Sequence, residues 1–487
     1  MSEKLLNYYH CHKKIYYFAF LFSFYIFLGI CISYPITYDT DNIFFSADNR
    51  RAFFDMVNIT GSHYRIKVHP ELLILVQAPT LLLNGFVNHH RMTVIVMEAF
   101  CGTLSGYIFY EILKCRKIEV HIRKLVTAIY VFSFSNIIFS TVPETFIFAN
   151  LGLISYWYFI LLALEQDKKF TIQEVFLLIF WGCINFGITL TNYGSYLIGL
   201  VCLLIKRYGK KDWVKLFFKI NVINSIFIVF LCLFQKFIWK QAPLFWESII
   251  VGIKGGGYEE LNYMNWNINI NKTILWIKQT MVYPIFSPDV YISNRIYFGG
   301  FSVIKKVFVC LFLLIIILII LTTIKEIISR KQRIGIDGLF FAYCGNLILH
   351  YIYGSQEAFI YSCHYVFLLL IIVAVTVDNY KSRSRKTIFT IVLAIFAVAE
   401  FCNNIDIFLK TTRLALGNAG VTFSYIRAMK GAVLCGGILF SIYRFLKRKH
   451  IKAVHLTYNE VANNYCHYLM TYLFFICIIG FFVAFNY

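Results

Sequence analysis

The residues best suited to chemistry crowd into one stretch, Tyr38 to Pro79, which reads YDTDNIFFSADNRRAFFDMVNITGSHYRIKVHPELLILVQAP. It holds Asp39, Asp41, Asp48 and Asp55, with Arg50, Arg51, Arg65, Lys67, His63 and His69 interleaved. A carboxylate in such a setting can take a proton from a hydroxyl. Neighbouring cations can offset negative charge as it develops on a phosphate. Asp48, Arg51 and Asp55 stand at i, i+3 and i+7, which is one face if Ser46 to Val57 is helical. The competing structural roles are ordinary ones. Asp48 can pair with Arg51 or cap a helix, Asp55 can pair with Arg50 or Arg51, and His69-Pro70 can simply shape a turn.

Two shorter segments add candidates. Glu144, between Pro143 and a long apolar run, is expected at a fixed position at a helix turn. Gln356, Glu357, Tyr361 and His364 lie together in QEAFIYSCHY, either as a site wall or as the polar cap of a hairpin.

The elements that must position these residues are membrane spans. Of the 487 residues, 59% are hydrophobic and only 15% charged, well below the roughly one quarter charged in soluble domains. Apolar runs of about 17–25 residues recur along the chain, each sufficient for one helical crossing. Backbone groups in lipid must pair internally, so helices are the expected answer. We therefore expect an all-α polytopic bundle of about thirteen crossings, one membrane domain over residues 1–487. Residues 35–91 form a first extracytoplasmic loop and 239–302 a second, with short interfacial helices in the loops. Glu71 to Phe86 is one such interfacial or re-entrant piece, and Ile15 to Tyr34 is an uncleaved anchor.

Charge sets the orientation. The formal net charge is +21. The short loops at 114–124, 206–219, 325–333, 378–386 and 444–452 are rich in Lys and Arg, whereas the turns at 141–145, 191–194 and 354–363 contain neither. The positive-inside bias then puts the N-terminus in the cytoplasm and most acids outside. The basic balance is thus explained by topology, and no basic face with interleaved aromatics supports nucleic-acid binding. The 14 cysteines are scattered without CxxC spacing and read as small buried apolar residues. The glycines at 255–257 lack a following Lys-Ser/Thr, so they form a hinge and not a phosphate loop. Trp239, Trp246, Trp266 and Trp276 suit either stacking on a sugar or interfacial anchoring.

The order of a first span, ADNRRAFFDM, HYRIKVHPELLIL, the turn VPETFIF and the late QEAFIYSCHY resembles bacterial GT-C integral-membrane glycosyltransferases related to the family 39 mannosyltransferases. Asp39-Thr40-Asp41 stands where that group carries an adjacent acidic pair. The resemblance implies a bacterial inner-membrane enzyme that takes a sugar from a polyprenyl-phosphate carrier and gives it to a hydroxyl of a glycan, lipid or protein. On that reading Asp48 or Asp41 is the general base. Asp39, Arg51, Asp55, His63, Arg65, His69, Glu144, Glu357 and His364 contact substrate, and Lys254 and Arg295 meet the carrier phosphate. A divalent cation, Mg or Mn, on Asp39, Asp41 and Glu144 is compatible with oxygen-ligand chemistry. The alternative is a polysaccharide polymerase or a lipid-linked glycan flippase. A flippase requires ionisable residues within the spans, where Glu98 and Glu400 are the main examples.

Overall fold

The computed structural model describes residues 3–33, 42–61, 63–247, 250, 264–329 and 334–418. The expected spans at 421–445 and 467–485, the glycines at 255–257, and Asp39, Asp41 and Lys254 lie outside the described residues.

The fold is helical and membrane-embedded. Among the described residues, six helices are long and apolar enough to cross a bilayer. In chain order the helices begin with α1 (Glu3–Ile32), α2 (Asn49–Val57), α3 (Ala78–Val87) and α4 (His90–Cys115). Next come α5 (Val120–Phe132), α6 (Phe134–Phe139), α7 (Phe146–Ala163), α8 (Ile172–Ile188) and α9 (Asn192–Ile238). The remainder are α10 (Ile270–Ile277), α11 (Val303–Ile328), α12 (Ile334–Ile352), α13 (Val366–Asp378) and α14 (Arg383–Asn418). A two-stranded hairpin, β1 (Val290–Ile292) and β2 (Ile296–Phe298), pairs antiparallel with Tyr291 opposite Tyr297.

Close helix contact depends on small residues, because lipid offers helices no hydrophobic drive to associate. α4 runs through the middle of the bundle. Side chains at Gly102 and Gly106 would collide with Ser140 and with Leu21 of α1 and Val131 of α5. α8 starts at a capping box in which Thr171 and Glu174 satisfy each other's backbone amides. Glu174 is also bridged by the buried Arg207 at 2.8 Å.

The apolar run from Leu125 to Ser140 departs from a straight helix, breaking at Ser133 into α5 and α6. A break frees carbonyls that must find donors in a low-dielectric setting. Asn136 Nδ2 donates to Tyr130 O at 2.6 Å, and Asn404 Nδ2 reaches from α14 to Phe132 O at 2.9 Å. The expected loop at 206–219 is tightened to a reversal at Gly209, whose φ of 68° suits a residue without a Cβ. The two halves of α9 run antiparallel, since the Tyr193 hydroxyl donates to Asn221 Oδ1 at 2.7 Å and Asn224 Nδ2 donates to the Tyr196 hydroxyl at 2.8 Å.

Loop contacts sort the bundle into two ends. At one end Glu71 N–H donates to Gly187 O, Leu190 N–H to Val68 O, Ser135 N–H to Pro284 O and Ile296 N–H to Ile43 O. This end is the mouth. At the other end Lys386 joins Asp378 and Glu119, Arg116 meets Glu165, and Lys206 reaches the Leu164 carbonyl. Consecutive loops alternate between the ends, as a polytopic chain requires.

Of the two readings of Glu71 to Phe86, interfacial or re-entrant, the packing of its first part inside the bundle fits the second. This part forms a π-helical turn (Leu73–Gln77) leading into α3. Gln235 of α9 accepts from the Leu73 amide at 3.1 Å and donates to Pro70 O at 2.9 Å. Glu71 fits there because Gly187 leaves room: a Cβ on Gly187 would lie 2.5 Å from Glu71 Oε2. A Gly187→Ala variant is therefore expected to lose about 1–3 kcal/mol through overpacking. Its thermal midpoint in detergent should fall and should recover in part in the Gly187→Ala/Glu71→Gly double variant, which also removes the Glu71 Cβ 2.7 Å from the new methyl. A midpoint equal to wild type in the single variant would contradict this packing.

Candidate functional site

The mouth is built around Glu144. Pro143 ends the preceding turn and α7 begins at Phe146, which holds the glutamate side chain inward, almost fully buried. Its Oε1 accepts from Arg65 Nη2 at 2.5 Å, Thr145 N–H at 2.8 Å and the Thr145 hydroxyl at 3.1 Å. Its Oε2 accepts from the Asp48 backbone N–H at 2.7 Å. The Glu144 N–H donates to Glu98 Oε1 of α4 at 3.1 Å. One carboxylate thus joins the first loop, the Arg65 turn and the turn before α7, segments far apart in sequence.

Arg65 is also buried, and His69 sits beside it. The His69 Nδ1–H donates to Ile188 O at 2.5 Å, which leaves Nε2 as acceptor toward Arg65 Nη2 at 3.3 Å. Burial pushes the His69 pKa well below the ordinary imidazole value, and the Arg65 charge adds to this. His69 is thus a neutral orienting group whose lone pair is already engaged. For Arg65, burial alone would lower the pKa, but Glu144, with Asp48 and Asp55, more than offsets it and holds the guanidinium charged.

The fixed pair presents Asp48 at the opening. The chain reaches it through Asn42, Phe45 and Ser46, all with positive φ (57°, 55° and 72°). A left-handed Phe is uncommon and costs energy, so surrounding contacts must hold it. Phe45 stacks on Phe298 of β2 at 4.4 Å and meets Phe134 and Phe359 edge-on. Asp48 then precedes α2 without capping it. Its carboxylate pairs with Arg51, and the two side chains are 31% and 47% exposed. Such an open pair contributes little stability but keeps acid and cation together at the surface.

The other candidates divide. Asp55 does not share a face with Asp48 and Arg51; it turns inward, with Oδ1 3.3 Å from His63 Nδ1. His63 Nε2 lies 3.0 Å from Ile59 O, and Gln77 Nε2 donates to the Asp55 carbonyl at 2.6 Å. Asp55 and His63 therefore tie the end of α2 to the π-helical turn. Arg295 and Glu357 meet each other, Nη1 to Oε1 at 3.0 Å, with the guanidinium 5.0 Å over the Tyr297 ring. His364 is buried against Phe146, and neither ring nitrogen has a partner among the described residues. Burial drives its pKa down to about 3.

Two contributors, His350 and Thr145, escaped the sequence reading, and a third, Glu98, entered it only as an ionisable residue within a span. His350 of α12 stacks on Tyr361 at 4.4 Å with planes 8° apart. Glu98 anchors the Glu144 turn, and Thr145 holds both Arg65 and Glu144. An acid inside a span is a signal for function in itself, and Glu98 carried it. Burial pushes the Tyr361 hydroxyl pKa up, and Tyr353, Glu357, Asp48 and Glu144 add to it.

Among the described residues, no three His, Cys, Asp or Glu side chains converge as a metal-ion set. The arrangement offers a partly exposed carboxylate, a guanidinium beside it, and a buried cation held behind both. That combination can accept a proton next to a site where negative charge grows. No protein family profile matches the chain, and no curated protein matches it at a significant level.

Two of the buried imidazoles, His69 and His364, give a pH test. With folded pKa values below the unfolded value of about 6.5, His69 and His364 take up protons more readily in the unfolded chain. Their contribution is intact above pH ~6.5 and is lost as pH falls toward 3, by up to about 1.4 kcal/mol per pH unit per group. The thermal midpoint in detergent should fall over that range, less steeply in His364→Gln. Parallel slopes for the two proteins would contradict the assignment.

Proposed function

We propose that this protein is a membrane glycosyltransferase that moves a sugar from a polyprenyl-phosphate carrier to an acceptor hydroxyl, with Asp48 as general base. The observation that carries the reading is the Asp48 carboxylate itself. It is a partly exposed acid at the mouth, its backbone fixed by buried Glu144 and its side chain beside Arg51. In the reaction the acceptor oxygen bonds to the anomeric carbon as its proton passes to Asp48. The bond from that carbon to the phosphate oxygen breaks, and its electron pair leaves with the phosphate. Arg51 beside Asp48, and Arg65 one layer behind, supply positive charge as the phosphate departs.

The resemblance to GT-C enzymes supports the same reading, because the segments that carry it, around Asp48, Arg65, Glu144 and Tyr361, meet at one mouth. So does the charge pattern, since the positive-inside bias favours an extracytoplasmic mouth; a bacterial inner membrane is what the resemblance implies. The proposed topology has about thirteen crossings with the N-terminus in the cytoplasm. Asp41, Asp39 and Lys254 remain candidates for the base, substrate contact and carrier phosphate, and Mg or Mn for a divalent ion. Asp55, His63, His69 and Glu144 are assigned to positioning. The acceptor is a glycan, lipid or protein hydroxyl.

Asp48→Asn should lower sugar transfer from a polyprenyl-phosphate donor by roughly 10²–10⁴, the usual contribution of a general base. The protein should still accumulate, because the lost contact is a surface one. Transfer at the wild-type rate would remove Asp48 from the role. Labelled lipid crossing vesicles without covalent change would instead favour a flippase.

A further inference from the structure

The segment from Met264 to Ile277 packs the opposite way from a helix facing water. α10 rests on the end of α12 through its more polar side. The Thr273 hydroxyl lies 3.1 Å from the Tyr351 hydroxyl, the Lys272 ammonium sits 4.4 Å over the Tyr351 ring, and Trp276 meets that ring edge-on at 5.2 Å. Lys272 also donates to the carbonyls of Asn265 and Asn267, folding the upstream residues back along the helix. The open side carries Ile270, Ile274 and Leu275, joined by Trp266 and Ile268. Trp266 is 70% exposed, Ile268 88% and Ile270 71%. A helix on a water-soluble surface turns such residues inward, and a contiguous apolar patch marks an interaction surface.

The neighbouring structure identifies the occupant. Asn265 N–H donates to Ile352 O at 2.8 Å, so the patch begins where helix α12 ends. Along α12 itself, Phe341 and Ile348 are exposed apolar residues. The patch therefore continues the exposed apolar surface of α12 beyond its end. Trp and Ile with Lys close by are the residues that settle at the boundary between headgroups and acyl chains. We propose that residues 264–277 form an in-plane anchor whose Trp266, Ile268, Ile270, Ile274 and Leu275 side chains insert into the lipid interface. Its role follows from what it joins. Just beyond α10, Gln279 donates to Gln356 O at 2.6 Å and accepts from Phe359 N–H at 3.3 Å. The anchor thus sets the height of the Tyr353–Tyr365 wall of the mouth against the membrane surface.

The test uses full-length protein in phosphatidylcholine vesicles, compared with Trp266→Phe so that the fluorescence difference isolates Trp266. Bromine near the glycerol end of the acyl chains should remove most of that difference signal. Bromine near the methyl end should remove less, and aqueous iodide little. Quenching by iodide with none by brominated lipid would overturn the proposal, since the patch would then face water. Shielding from both would overturn it too, because a second copy of the chain or another protein would then cover the patch. Neither outcome bears on the glycosyltransferase reading, which rests on Asp48.

Discussion

A buried ion pair between Arg65 and Glu144 is the constraint on which the mouth depends. Removing two charges from water costs several kcal/mol each, and attraction offsets this only when the remaining donors and acceptors are met. Glu144 meets the condition well: both oxygens are engaged, by a guanidinium, a hydroxyl and two backbone amides. Arg65 meets it less fully. Only Nη2 is matched, while Nε and Nη1 lack partners among the described residues. The pair is therefore dear to keep, and what it secures is geometry. It closes the gap between residues 48, 65, 98 and 144 and fixes the backbone beneath Asp48.

Around that pair the same rule operates on the backbone. The break at Ser133 and the π-helical turn at Leu73–Gln77 leave peptide groups that water cannot reach. Asn404, Asn136 and Gln235 supply the missing donors and acceptors from neighbouring helices. Beneath the mouth, Phe45, Phe134, Phe298 and Phe359 interlock through ring contacts at 4.4–6.2 Å. The rings hold a strained left-handed Phe45 in place. Polar clasps and aromatic packing together leave Asp48 and Arg51 as the open groups above a rigid base.

The long helices were legible because lipid imposes one backbone solution and a minimum length, which apolar runs such as Phe146–Ala163 and Val303–Ile328 advertise. Glu144 was legible because Pro143 and the following apolar run confine it. Asp55 was not. The spacing of Asp48, Arg51 and Asp55 suggests one face only if all three are in the helix, yet α2 starts at Asn49 and Asp55 is drawn inward by His63. The pairing of Arg295 with Glu357 depends on where the hairpin docks, a long-range fact no local pattern encodes. The turn near Gly209 was legible in the basic stretch around it, although the reversal is tighter than a loop and leaves helix on both sides. His350 gave no local signal, since its importance arises only when Tyr361 folds over it.

A double-mutant cycle on Arg65→Met and Glu144→Leu tests the central claim most directly, with stability in detergent as the readout. Each single change strands a buried charge and should cost about 3–5 kcal/mol. The double variant should be less destabilised than the sum, by a coupling of roughly 1–3 kcal/mol. Losses that simply add would show that the two charges do not depend on each other, and would contradict the account.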